Sequence, residues 1–103
     1  MNGQLQIGTD TIQAAFEEFD RKHPEVMDEL VSLALTAQRH GRHRIGMKHL
    51  FEVLRWQRMI RGLPDNNEDF KLNNNYTSRY ARQIMHRHPE LRGVFELRGL
   101  KAF

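Results

Sequence analysis

The sequence predicts a mainly α fold of four helices with a small two-stranded β ribbon. Three observations carry this expectation. Apolar residues recur at helical spacing in four segments of the chain. Pro24, Pro89 and the run Asn73, Asn74, Asn75 stand where helices would start or stop. Short apolar and polar alternation is confined to two places, Phe70 to Leu72 and Val94 to Leu97, which could pair as the ribbon.

Residues 1–10 are polar and contain glycine, so they read as a flexible arm, with 11–103 as a single helical domain. The first helix is expected after Asp10, whose carboxylate can cap it, because Ile12, Ala15, Phe16 and Phe19 fall at i, i+3, i+4 and i+7. Pro24 ends it and opens a second helix, in which Val26, Met27, Leu30, Leu33, Ala34 and Ala37 share one side. Glu25, Asp28, Glu29, Ser32 and Thr36 take the other side, and Gly41 suits the carboxyl end. After a basic linker, Arg42 to Arg44, a third helix is expected from Gly46 to about Arg61, broadly apolar through Met47, Leu50, Phe51, Val53, Leu54 and Ile60. Lys48, Glu52 and Arg55 form its exposed strip, with Trp56 and Met59 at the edge of the core. A turn-rich loop begins at Gly62, and the asparagines can cap a fourth helix from about Tyr76 to His88, with Tyr76, Tyr80 and Ile84 facing inward. The core should comprise Phe16, Phe19, Leu30, Leu33, Leu50, Phe51, Leu54, Tyr80, Ile84 and Phe95.

Composition narrows the function classes. The chain has no cysteine, which excludes disulfides, thiolate nucleophiles and Cys-containing zinc sites. No run approaches the ~18 apolar residues that span a bilayer, and the amino end lacks a signal-peptide pattern, so a cytoplasmic protein with no membrane partner is expected. The net charge of +3 conceals an asymmetry: residues 1–35 carry two cations against seven acids, and residues 36–103 carry fourteen Lys and Arg against six acids. The carboxyl-terminal two-thirds should therefore attract polyanions. His40 with His43 and His86 with His88 lack metal-ligand spacing, and no HExxH, phosphate loop or catalytic triad order is present; no metal, cofactor or catalytic site is expected.

The fourth helix is the candidate site. At ~100° per residue, Arg79, Arg82 and His86 share one face, flanked by Ser78 and Gln83 and opposite the inward tyrosines. Arginine can reach phosphates or guanine edges, and glutamine or asparagine can read adenine. Asn75 lies at the amino end, where a helix also offers free amides to phosphate. Arg92, Arg98 and Lys101 would belong to a wing behind this helix, touching the adjacent backbone, which makes the arrangement winged-helix-like. A helix-turn-helix joins its helices by a 3 to 4 residue turn. The connection Gly62 to Asn75 is longer, as winged variants with a strand and loop allow. The expected partner is nucleic acid, DNA ahead of RNA, and a homodimer is compatible because two-fold pairing would give paired half-sites.

Two resemblances add to this reading. The spacings Arg79 to His86 and Arg82 to His88 resemble the Arg and His pair of small helical RNases of the HEPN class. That resemblance implies a His base at the 2′-hydroxyl and an Arg on the phosphate, although Tyr80 and Gln83 depart from the residue that the family places after its Arg. The block FKLNNNYTSRYAR at 70–82, with PEL at 89–91 and FELRGLK at 95–101, resembles a family of small uncharacterised proteins encoded by phages and prophages. It implies a phage-type setting and brings no established activity. Small proteins in that setting bind DNA or bind and block a host protein. The host-protein alternative would use Trp56 and Met59, or the acidic face of the second helix, as its docking surface.

Overall fold

Helix α1 (Ile7–Lys22) and helix α2 (Pro24–Arg39) are separated by the one residue that a following proline keeps out of helical geometry: His23 sits at φ −130°, ψ 65°. Helix α3 (Met47–Ile60) and helix α4 (Thr77–Arg87) complete the set, with short 3-10 turns at Asn74–Tyr76 and Pro89–Leu91 on either side of α4. The computed structural model describes residues 7–95. The first helix therefore starts at Ile7, inside the segment expected as an arm, and a first turn made mostly of glycine and polar residues carries no apolar period by which to see it. Arg98, Lys101 and the end of the stretch Val94 to Leu97 lie outside the described residues.

The core forms where the four helices turn their apolar sides together. Tyr80 of α4 stacks edge-on against Phe16 of α1, with ring centroids 4.9 Å apart and planes at 89°, and against Phe51 of α3 at 5.8 Å. Val26, Leu30, Leu50, Leu54 and Ile84 are buried around this triad. All the expected core residues are buried except Leu33, which is half-buried at the rim of α2. Trp56 is not a core edge: it is 62% exposed, with Met59 at 45% and Ile60 at 62%.

No strand occurs among the described residues, and the expected ribbon is not seen in that part. Phe70 bridges antiparallel to Asn67 within its own loop, while Phe95 bridges in parallel to Ile45 before α3. The alternation at 70–72 nevertheless reports burial correctly, since Phe70 and Leu72 are buried and Lys71 is exposed. These residues act as plugs that pin the long connection to the core. Asn67 accepts from the amides of Asp69 and Phe70 at 2.9 Å each, and the ring of His23 meets the Asp69 carbonyl at 3.0 Å.

Arg58 holds this connection in place. It is the one charged residue buried among those described, at 6% exposure, and its guanidinium lies 3.9 Å from the centroid of the Phe70 ring. Nε donates to the Pro64 carbonyl at 2.6 Å, and Nη1 lies 3.6 Å from carboxylate oxygens of both Glu25 and Glu29 on α2. Removing the cation alone leaves Glu29 half-buried without a counter-charge. Arg58→Met should therefore cost about 2 to 4 kcal/mol in urea unfolding, and adding Glu29→Leu should recover most of that loss. A single variant within about half a kcal/mol of wild type would show that the ion pairs contribute nothing.

Candidate nucleic-acid interface

The 3-10 turn Asn74–Tyr76 that leads into α4 is capped by its own sequence. The Asn73 side chain accepts from the Asn75 amide at 2.8 Å, and the Thr77 hydroxyl donates to the Asn74 carbonyl at 3.0 Å. A second anchor comes from α3, where Arg55 donates to the Leu72 carbonyl and to the Asn74 side chain, the latter at 3.0 Å. The expected exposed strip of α3 thus loses Arg55 to the task of fixing the start of α4. With Tyr76, Tyr80 and Ile84 all buried, the rotation of α4 about its own axis is set.

That rotation brings Asn75, Arg79, Arg82 and His86 onto one outer strip. Asn75, Arg82 and His86 are exposed, and Arg79 is half-buried, as are Ser78 and Gln83 at the margins. Arg79 is oriented from both sides: Nε donates to Gln13 Oε1 of α1 at 3.0 Å, and Nη1 donates to the Asn75 carbonyl at 3.4 Å. Gln13 is held in turn through its donation to Glu17 at 3.0 Å. Arg82 and His86 make no hydrogen bond or ion pair among the described residues. Helix α4 contains no acid, so its outer strip carries no carboxylate and is rich in donors.

Arg87 and His88 leave this strip. Arg87 turns toward α2 and, with His88, closes an open groove of about 290 Å³ over Met27, Asp28, Val31, Leu35 and Arg39. Burial pushes the Asp20 carboxyl above its usual value, and the positive charge of Arg87 opposes that rise. His88 ends α4 and lies 3.7 Å from Glu90. Of the two Arg and His spacings, Arg79 and His86 therefore share a strip about 10 Å apart along the axis, while Arg82 and His88 diverge. Among the described residues no group of three or more His, Asp or Glu is placed to hold a metal, and no helix is long and apolar enough to cross a membrane.

Trp56 and Met59 stand on a different surface, the outer side of α3. Ile60 shares their side of the helix at i+4 from Trp56, and Leu63, in the chain beyond the end of α3, is exposed as well. The same spacing is readable in the sequence, but periodicity cannot say whether an apolar face is covered. Comparison with protein-family models, with curated proteins and with solved structures gives no match.

Tyr80, which fixes the strip from beneath, has a buried hydroxyl with no hydrogen-bond partner among the described residues. Burial pushes its pKa well above the ordinary 10.0, with smaller effects from Asp20, Tyr76 and Glu25. The folded state holds this proton more tightly than the unfolded chain does. Its contribution to stability is therefore complete below the ordinary tyrosine range and is lost as pH rises above that range toward the raised value of the folded state. Tyr80→Phe should be at least as stable as wild type at neutral pH, by about 1 kcal/mol, because an unsatisfied polar group is removed. Its alkaline unfolding midpoint should move to higher pH; a clear loss of stability at neutral pH would mean that the hydroxyl has a partner.

Proposed function

We propose that the protein binds nucleic acid, DNA in preference to RNA, through the outer strip of α4, as a small regulator or accessory factor of phage type. The observation that supports this most is the strip itself: Asn75, Arg79, Arg82 and His86 lie along one side of a helix whose opposite side is locked by buried tyrosines, with no acid among them. A donor strip on a rigid helix suits the major groove of B-form DNA, which admits a helix, whereas the major groove of A-form RNA is too narrow for side chains to read. Arg79, held by Gln13, suits a fixed phosphate or guanine contact, and the unpaired Arg82 and His86 are available for others. The winged-helix-like element of this reading requires a wing beyond Phe95, to which Arg98 and Lys101 would contribute cations. No turnover, metal or cofactor enters the mechanism, and a cytoplasmic location agrees with it.

A second reading is favoured by the exposed side chains of Trp56, Met59, Ile60 and Leu63, an apolar surface of the kind that protein partners cover. It makes the protein an inhibitor or adaptor of a host protein, in which the α4 cations steer association without touching nucleic acid.

Charge reversal separates the two. Arg79→Glu with Arg82→Glu leaves Tyr76, Tyr80 and Ile84 untouched, so the fold should persist by circular dichroism. Binding to duplex DNA should collapse, and the plot of log affinity against log salt should flatten by about 0.9 for each phosphate interaction removed. A wild-type protein with no salt-sensitive binding to duplex or single-stranded DNA at micromolar concentration would transfer the conclusion to the host-protein reading.

A further inference from the structure

From residue 30 to residue 51 the chain holds no Asp or Glu, while Arg39, Arg42, Arg44 and Lys48 fall within it. The structure draws the middle of this stretch into a fixed turn between α2 and α3. Gly41 takes the left-handed region at φ 79°, and the Arg42 amide donates to the Ala37 carbonyl at 2.9 Å. On the far side of the turn the Ile45 amide donates to the Val94 carbonyl, beside the parallel bridge to Phe95. Gln38 adds a second tie, donating to the Glu90 carbonyl at 2.8 Å. These bonds bring the end of α2, the start of α3 and the segment that follows α4 together. Arg92, exposed and two residues before Val94, joins the cations of the turn there.

Arg42, Arg44, Lys48 and Arg92 are all exposed, and none has an ion-pair partner among the described residues. Of the acids that flank them, Glu52 is paired with Arg55 at 3.2 Å, and Glu90 stands 3.7 Å from the His88 ring. Arg44 is the more telling because it stands at φ 61°, the one non-glycine residue with positive φ among those described. Glycine or asparagine adopts that conformation more easily than arginine does. Arg44 is exposed there and makes no side-chain hydrogen bond or ion pair among the described residues, so its guanidinium is free to meet a ligand.

We propose that Arg42, Arg44, Lys48 and Arg92 form a phosphate-backbone anchor for nucleic acid, next to the carboxyl end of α4; this rests on the nucleic-acid reading of the α4 strip. Phosphate contacts position a protein on its duplex, and base-edge contacts specify the sequence. The α4 strip carries residue types able to do the second, while the turn carries cations able to do the first from a rigid backbone. The anchor also sits apart from the exposed apolar residues Trp56, Met59, Ile60 and Leu63 at the other end of α3. It has no wedge to insert into a lipid surface, which sets nucleic acid ahead of an anionic membrane.

The test uses the full chain, labelled duplexes of two unrelated sequences and a series of salt concentrations read by fluorescence anisotropy. The triple variant Arg42→Gln, Arg44→Asn, Arg92→Gln should keep its unfolding midpoint and flatten the salt slope by about 2.7, at about 0.9 per phosphate, equally on both sequences. Arg92→Gln alone, on a separate segment from the positive-φ turn, should flatten it by about 0.9 even if the triple variant folds poorly. The charge-retaining variant Arg42→Lys, Arg92→Lys should keep the wild-type slope. An unchanged slope in the triple and Arg92→Gln variants, while the Arg79→Glu, Arg82→Glu variant still loses binding, would overturn the anchor and leave the α4 reading standing. A wild-type protein that binds neither duplex would overturn both. Loss of binding to anionic vesicles in the triple variant, with DNA binding unaffected, would assign the cations to a membrane and also overturn the anchor.

Discussion

The buried guanidinium of Arg58 is the constraint on which the placement of the other parts depends. A cation withdrawn from water is costly unless it is compensated, and here carboxylates, a carbonyl and an aromatic face compensate it from three directions at once. Glu25 and Glu29 come from α2, the Pro64 carbonyl from the chain leaving α3, and the face of Phe70 from the middle of the long connection. Each partner is far from Arg58 in sequence or fixed only once the chain has turned back. Satisfying the arginine therefore closes residues 62–72 against the core, and α4 can start only where that segment ends. Arg55, one turn earlier, continues the same arrangement by holding Leu72 and Asn74.

From that starting point the two sides of α4 divide between stability and chemistry. The inner side carries Tyr76, Tyr80, Ile84 and Met85 into the shared core, and the outer side carries Asn75, Arg79, Arg82 and His86 to solvent. Acidic residues gather on α1 and the first half of α2, where Glu25 and Glu29 neutralise Arg58. Most of the unpaired cations lie on α4 and around the α2–α3 turn. The cations on α4 and at the turn are the parts of the surface most able to attract polyanions, with Glu17 of α1 beside Arg79 through Gln13. That surface is rigid because its residues sit on a helix or on a turn tied by backbone hydrogen bonds, which limits the entropy that binding would consume.

The helices are legible in the sequence because their causes are local. Apolar spacing exposes α2 and α3, Pro24 marks the break before α2, and Asn73 caps the turn before α4 as its residue type implies. The outer strip of α4 follows from the same periodicity once the tyrosines are assigned inward. The remainder depends on partners that are distant in sequence. Arg58 looks like any surface cation until Glu25, Glu29 and Phe70 are brought to it. Phe70 and Leu72 alternate like a strand, and the alternation reports which side chains are buried without saying what the backbone pairs with. Trp56 and Ile60 fall on helical spacing that cannot distinguish a covered face from an open one, and the run Arg42 to Arg44 reads as a linker until Ile45 is seen beside Val94.

Amide chemical shifts of the isotope-labelled protein, followed during titration with a short DNA duplex, would test the central claim most directly: that the α4 side opposite the core is a nucleic-acid surface. The account predicts perturbations concentrated on Asn75, Arg79, Arg82, Gln83 and His86, continuing into residues 42–48, with the amides of Phe16, Leu54 and Phe70 little changed. Perturbations centred on Trp56, Met59, Ile60 and Leu63, or none at all at stoichiometric duplex, would contradict it.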